Sequence, residues 1–158
     1  MQEILTLIVL TLMPFLELRA SIPYGVFQTS LSVLWVFLIC TITNIILAPI
    51  LFIFLHKFVH IFLKIKFINK YYQKMVLKTQ KKVHKYVERW GVLGLSLFIG
   101  LPLPGSGVYS GALAAYLLGF RFRDFFKAAV IGVLIAGVIV TLVSTAGNGA
   151  WMFLIKRI

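Results

Sequence analysis

Four stretches of the chain carry no Lys, Arg, Asp or Glu: 4–16, 20–55, 90–120 and 128–155. About 20 apolar residues cross a membrane, so the second and fourth stretches each predict a full span, placed at 31–55 and 126–155. The first stretch ends at Glu17 and is too short to cross alone. The third is long enough but is cut by Leu101-Pro102-Leu103-Pro104-Gly105-Ser106-Gly107. Between the second and third the pattern changes. Ile68, Tyr72, Met75, Thr79, Val83, Tyr86 and Trp90 recur at steps of three and four, the stripe of an amphipathic helix. Lys66, Lys70, Lys74, Lys78, Lys82 and Lys85 mark another face, suited to an anionic lipid surface.

The elements recur in two halves, each a Pro-broken apolar hairpin followed by a long span. Repeat one is 1–56 (hairpin 4–30), repeat two is 91–158 (hairpin 91–120), and 57–90 is the basic segment between them. Pro14 and Pro23 break the first hairpin, Pro102 and Pro104 the second. Paired, Pro/Gly-interrupted apolar segments at corresponding positions point to a transporter's binding site. The expected fold is therefore an all-α polytopic membrane protein, an inverted repeat of re-entrant hairpin plus transmembrane helix in a single membrane domain.

Composition agrees. Of 158 residues 61% are hydrophobic and only four are acidic, which excludes an ordinary soluble domain. The segment 57–89 holds ten basic residues against Glu88 alone, nine of the net +12, and by the positive-inside rule it is cytoplasmic. Re-entrant hairpins leave Arg121, Arg123 and Lys127 on that same side, whereas four full spans put Arg121 and Arg123 outside. Positive-inside bias accounts for the basic charge, and no aromatic-stacking module accompanies it, so nucleic acid is not an expected partner. Glu3 is the only charge before the first apolar run and no small-x-small cleavage site follows it, so that run is not read as a signal peptide. Cys40 stands alone and excludes an intramolecular disulfide or a cysteine-built metal site.

Candidate chemistry centres on Glu17 and Arg19. Ionisable residues at membrane depth are expensive and mark functional sites, proton relays among them. Two residues apart on a regular helix they point to different faces. Either the backbone is unwound there or each has a partner elsewhere. Glu17 is the expected proton-coupling residue, and Arg19, with its planar fork of donors, suits phosphate or carboxylate. Alternatively the two form a structural ion pair that pins the hairpin. Gly105-Ser106-Gly107 before a helical run presents free N–H groups suited to an anion. Ser21, Ser106, Tyr109 and Ser110 add hydroxyls. Gly107 and Gly111 also form a G-x-x-x-G packing pattern. Asn44 and Pro49 shape the first long span, and Asp124 is read as the cap of the last helix. His56 and His60 share a helix face but lack a third ligand nearby, so no metal is expected. No Ser/His/Asp set or carboxylate pair suggests an enzyme, and no cofactor is implied.

The runs Pro14-Phe15-Leu16-Glu17-Leu18-Arg19-Ala20-Ser21-Ile22-Pro23-Tyr24-Gly25, Leu101–Gly107 and Gly111-Ala112-Leu113-Ala114-Ala115 resemble the prokaryotic small multidrug export protein family, distantly similar to the DedA/VTT superfamily. The resemblance implies two opposed re-entrant hairpins meeting at mid-membrane, in a prokaryotic cytoplasmic membrane. It also implies recycling of undecaprenyl phosphate or scrambling of phospholipids, with the superfamily's acid and arginine carried over to Glu17 and Arg19. One departure is the absence of arginine around Gly105-Ser106-Gly107.

The leading expectation is a proton-coupled flippase for an anionic lipid such as a polyprenyl phosphate, working as a homodimer because two spans wall only part of a cavity. A proton-coupled multidrug exporter is the alternative, with Arg19 opposing a cationic substrate. A membrane adaptor acting through its lysines is a third reading.

Overall fold

The computed structural model describes residues 1–14, 16–62, 91–101 and 106–155, with side chains described outside 58–62 and 148–155. All the elements in that set are helical. They are α1 (Gln2–Leu12), α2 (Glu17–Gln28), α3 (Val33–Phe62), α4 (Gly91–Gly100), α5 (Val108–Leu117) and α6 (Phe122–Ile155). The expected lysine face and the stripe from Ile68 to Trp90 lie outside the described residues, as do Pro102, Pro104 and Gly105.

Two of the helices contain a stretch long and apolar enough to cross a membrane, Val33–Lys57 and Phe122–Gly147. The other four are half-helices. At 1.5 Å per residue, α1 and α2 are about 16–18 Å long, little more than half of a hydrocarbon core of about 30 Å. The long helices are apolar all round and sort by environment instead of by polarity. On α3, Ile42, Ile46 and Ile50 are about half-exposed on one face. The stripe Val36, Cys40, Asn44, Ala48 and Phe52 is buried on another. Lipid in place of water makes that outward face favourable.

The two halves interpenetrate. α1 and α2 pack on each other and on α3, but α2 also lies along α6, and α5 lies along α3. α4 packs on α6 through Gly100 against Ile135 and Gly132 against Ile99. The long helices run antiparallel: Phe37 and Thr41 meet Gly137, while Phe52 stacks on Phe125 at 4.9 Å. α2 is likewise antiparallel to α3, with Gly25 against Val36 and Ser21 near Cys40.

Three expectations need correcting. The first break lies at 13–16, and α2 runs straight through Pro23. A proline there lacks only the N–H that would bond to the Arg19 carbonyl, so the helix loses one bond but continues. Asp124 is inside the first turn of α6, its N–H bonded to the Arg121 carbonyl, where its carboxylate favours the helix dipole without capping. α3 extends past its expected end at 55, through Lys57 to Phe62.

Candidate functional site

The two hairpin breaks meet, and each stranded helix end of the second hairpin is satisfied by a charge from the first. A helix N-terminus leaves N–H groups without partners and a C-terminus leaves carbonyls. Here Val108 N–H donates to Glu17 Oε2 at 3.2 Å and Tyr109 N–H to Glu17 Oε1 at 3.2 Å. Glu17 thus caps α5 from about ninety residues away in sequence, with its negative charge at the positive end of the helix dipole. At the other side of the break, Arg19 Nη2 donates to the Leu101 carbonyl at 2.8 Å and reaches the Ile99 carbonyl at 3.4 Å. It places a positive charge at the C-terminus of α4. Ser106 Oγ accepts from Arg19 Nη2 at 2.8 Å and donates to the Leu101 carbonyl at 2.6 Å.

A return contact completes the lock. Tyr109 Oη donates to the Leu12 carbonyl at the C-terminal end of α1. Ser110 Oγ bonds back to the Gly107 carbonyl at 3.3 Å, within its own turn. Glu17 and Arg19 attract each other electrostatically, and each also holds one end of the opposite break.

Backbone geometry is specialised on both sides. Glu17, only 5% exposed, has φ +46°, a left-handed conformation uncommon for a residue with a Cβ. Such strain persists where surroundings over-determine it, and the two N–H groups on its carboxylate do so. Facing it, Gly107 has φ +129°, and a Cβ there would lie 2.5 Å from Glu17 Oε2. Glycine is required twice over, for the dihedral and for room. Gly111 packs against Ile99, so the G-x-x-x-G joins α4 to α5, while the N–H groups beyond Gly107 hold the Glu17 carboxylate.

Behind the lock lies a polar cluster that the residue pattern did not single out as a group. Thr11 Oγ1 and Ser21 Oγ are hydrogen-bonded at 2.7 Å, Ser21 Oγ lies 3.1 Å from the Glu17 carbonyl, and Cys40 lies beside both hydroxyls. Thr11 was the missed member; a lone threonine in a short apolar helix usually bonds its own i−4 carbonyl, as Thr11 also does to Leu7. Tyr109 was predicted as a substrate hydroxyl and here spans the two hairpins. His56 packs edge-on against Tyr116 at 5.0 Å and stacks on Phe52. Among the described residues no group of three His, Cys, Asp or Glu could hold a metal ion.

Half-helices meeting end to end, with a buried carboxylate and a guanidinium at their junction and two long apolar helices beside them, are an arrangement consistent with a membrane protein of the transporter kind. The family described as "Putative small multi-drug export protein" matches residues 17–139. The chain belongs to that family. Neither curated proteins nor solved structures gave a match.

Proposed function

We propose that this protein is a proton-linked transporter whose substrate presents an anionic group, best matched by the phosphate of a lipid carrier, to the α5 N-terminus and Arg19. The single observation that carries the reading is the Glu17 carboxylate seated on two N–H groups of a half-helix. That is an anion site filled by the protein's own acid. Protonating Glu17 removes the charge that holds it there and weakens both bonds. The freed N–H groups, together with Arg19 and Ser106, then form a cradle for a phosphate or similar head group. When the substrate leaves, Glu17 loses its proton and reseats. Proton and anion thus share one site, and coupling follows from that competition without a second ion site.

Several features support re-entrant hairpins arranged as an inverted repeat. The half-helices are too short to cross, and each repeat's hairpin leans on the other repeat's long helix. In this reading α3 begins at the outer face and the basic segment is cytoplasmic. A homodimer supplies the remaining wall of the path. No chemistry is performed on the substrate, so the protein is not an enzyme.

A second reading, export of small drug-like molecules, is favoured by the family description, and the same buried Glu17 would suit cationic ones. Reconstituted protein separates the two. A fluorescent polyprenyl phosphate should cross proteoliposome membranes faster under an inward proton gradient, and Glu17→Gln and Arg19→Ala should each abolish the effect while still inserting. Wild-type rates in Glu17→Gln would overturn the reading. Gradient-driven efflux of a cationic dye without lipid movement would establish the exporter instead. Activity lost on removing the lysines of 64–85, but kept on substituting Glu17, would establish the adaptor.

A further inference from the structure

Asn44 is fully buried in α3, yet neither Oδ1 nor Nδ2 has a hydrogen-bond partner among the described residues, and the same holds for the hydroxyls of Thr41 and Thr141. Buried polar groups are normally satisfied, because leaving them unpaired is costly. Three unsatisfied side chains on the facing helices α3 and α6 therefore point to an occupant.

The helix registers show that they form a line. With Thr41 against Gly137 and Phe52 on Phe125, α3 and α6 run antiparallel. Thr141, one turn beyond Gly137, therefore falls level with Phe37, one turn before Thr41. Asn44 lies one turn after Thr41. Ser144, also buried, extends the line to the first turn of α3. Gly137 opens the seam, since a Cβ there would sit 2.9 Å from Phe37 and 3.1 Å from Thr41 Oγ1. The inner end is fixed by α2. Gly25 meets Val36 and Ser21 meets Cys40, so the next step along the same stripe sets Asn44 level with Glu17. From the first turn of α3 to Asn44 is about 16 Å, half the thickness of a hydrocarbon core.

The unsatisfied atoms also select the ligand. A metal cation would use Oδ1 and the hydroxyl oxygens but leave the Nδ2 donors facing it. Water both donates and accepts, and typically makes about three hydrogen bonds in such sites. We propose that the α3–α6 seam is a hydrated path joining the membrane face where α3 begins to the level of Glu17, and that protons reach the hairpin lock along it. The proton use rests on the proton-linked reading above; the hydration does not. The ionisable groups facing Glu17 are Arg19 on its own helix, Tyr109 on α5 and, through Ser21, Cys40 on α3. Residues 128–147 of α6 carry none.

The test reads the sign of a stability change in the purified full chain. If water bridges the line, Asn44→Leu or Thr41→Val alone strips partners from the remaining groups and lowers the unfolding midpoint by a few degrees. The triple variant Thr41→Val/Asn44→Leu/Thr141→Val then recovers it. If nothing occupies the seam, each single variant removes an unpaired group and leaves the midpoint unchanged or raised, which overturns the proposal. Should Asn44→Leu not accumulate, Thr41→Val carries the same reading. In proteoliposomes the folded triple variant should lose acceleration by a proton gradient; retention overturns the proton route. If wild-type protein moves no substrate, the proton route falls with the proposed function, and the order of midpoints still decides the hydration.

Discussion

Replacing Gly107 by alanine tests the hairpin lock without touching a charge. An alanine Cβ would lie 2.5 Å from Glu17 Oε2 and 2.7 Å from Oε1. Ordinary contact begins at 3.4 Å, so the carboxylate must withdraw by about 0.9 Å, taking its 3.2 Å bonds to Val108 and Tyr109 to about 4 Å, outside hydrogen-bond range. Each bond to a charged group contributes about 1.5–3 kcal/mol, and a φ of +129° costs alanine about 1–3 kcal/mol. Taking the low end of each, the loss is about 4 kcal/mol, a large part of a total stability of about 5–15 kcal/mol. For a chain of this length that lowers the unfolding midpoint by about 8–16 °C. The buried free thiol of Cys40 supplies the assay, because a thiol-reactive fluorophore gains access as the protein unfolds. A variant that unfolds at the wild-type temperature would refute the cradle, and with it the view that Glu17 holds α5.

Further substitutions separate the parts of the lock. Arg19→Lys keeps the charge but loses the fork that reaches Leu101 and Ser106 together; it should lower stability by about 1–2 kcal/mol, less than Arg19→Ala in the same thermal scan. Tyr109→Phe removes only the bond to the Leu12 carbonyl and should cost about 1 kcal/mol, a shift of about 2–4 °C, with the charges of the site unchanged. An unaltered midpoint in Tyr109→Phe would mean that α1 is held without α5.

Much of the fold is legible in the order of residues alone. The uncharged stretches 20–55 and 128–155 gave two long helices because nothing else buries so many apolar residues with every backbone group satisfied inside a membrane. The prolines and glycines of 13–25 and 101–107 marked the breaks, and the cost of charge at depth singled out Glu17 and Arg19. Pro23 misled because an isolated proline removes one N–H without ending a helix whose neighbours already hold it.

What the residues could not specify was which groups meet. Glu17 and the amides of Val108 and Tyr109 are about ninety positions apart, and no local pattern encodes that contact. It follows from the half-helices α2 and α5 leaning on each other's long helices and so bringing their breaks together. The line of Thr141, Thr41 and Asn44 is likewise set by the antiparallel register of α3 and α6, fixed at Gly137 and at Phe52 on Phe125. Composition along the chain decides which segments leave water, because burial is local and additive over area. Tertiary packing decides which stranded donor faces which charge, because a hydrogen bond is directional and is lost within an ångström.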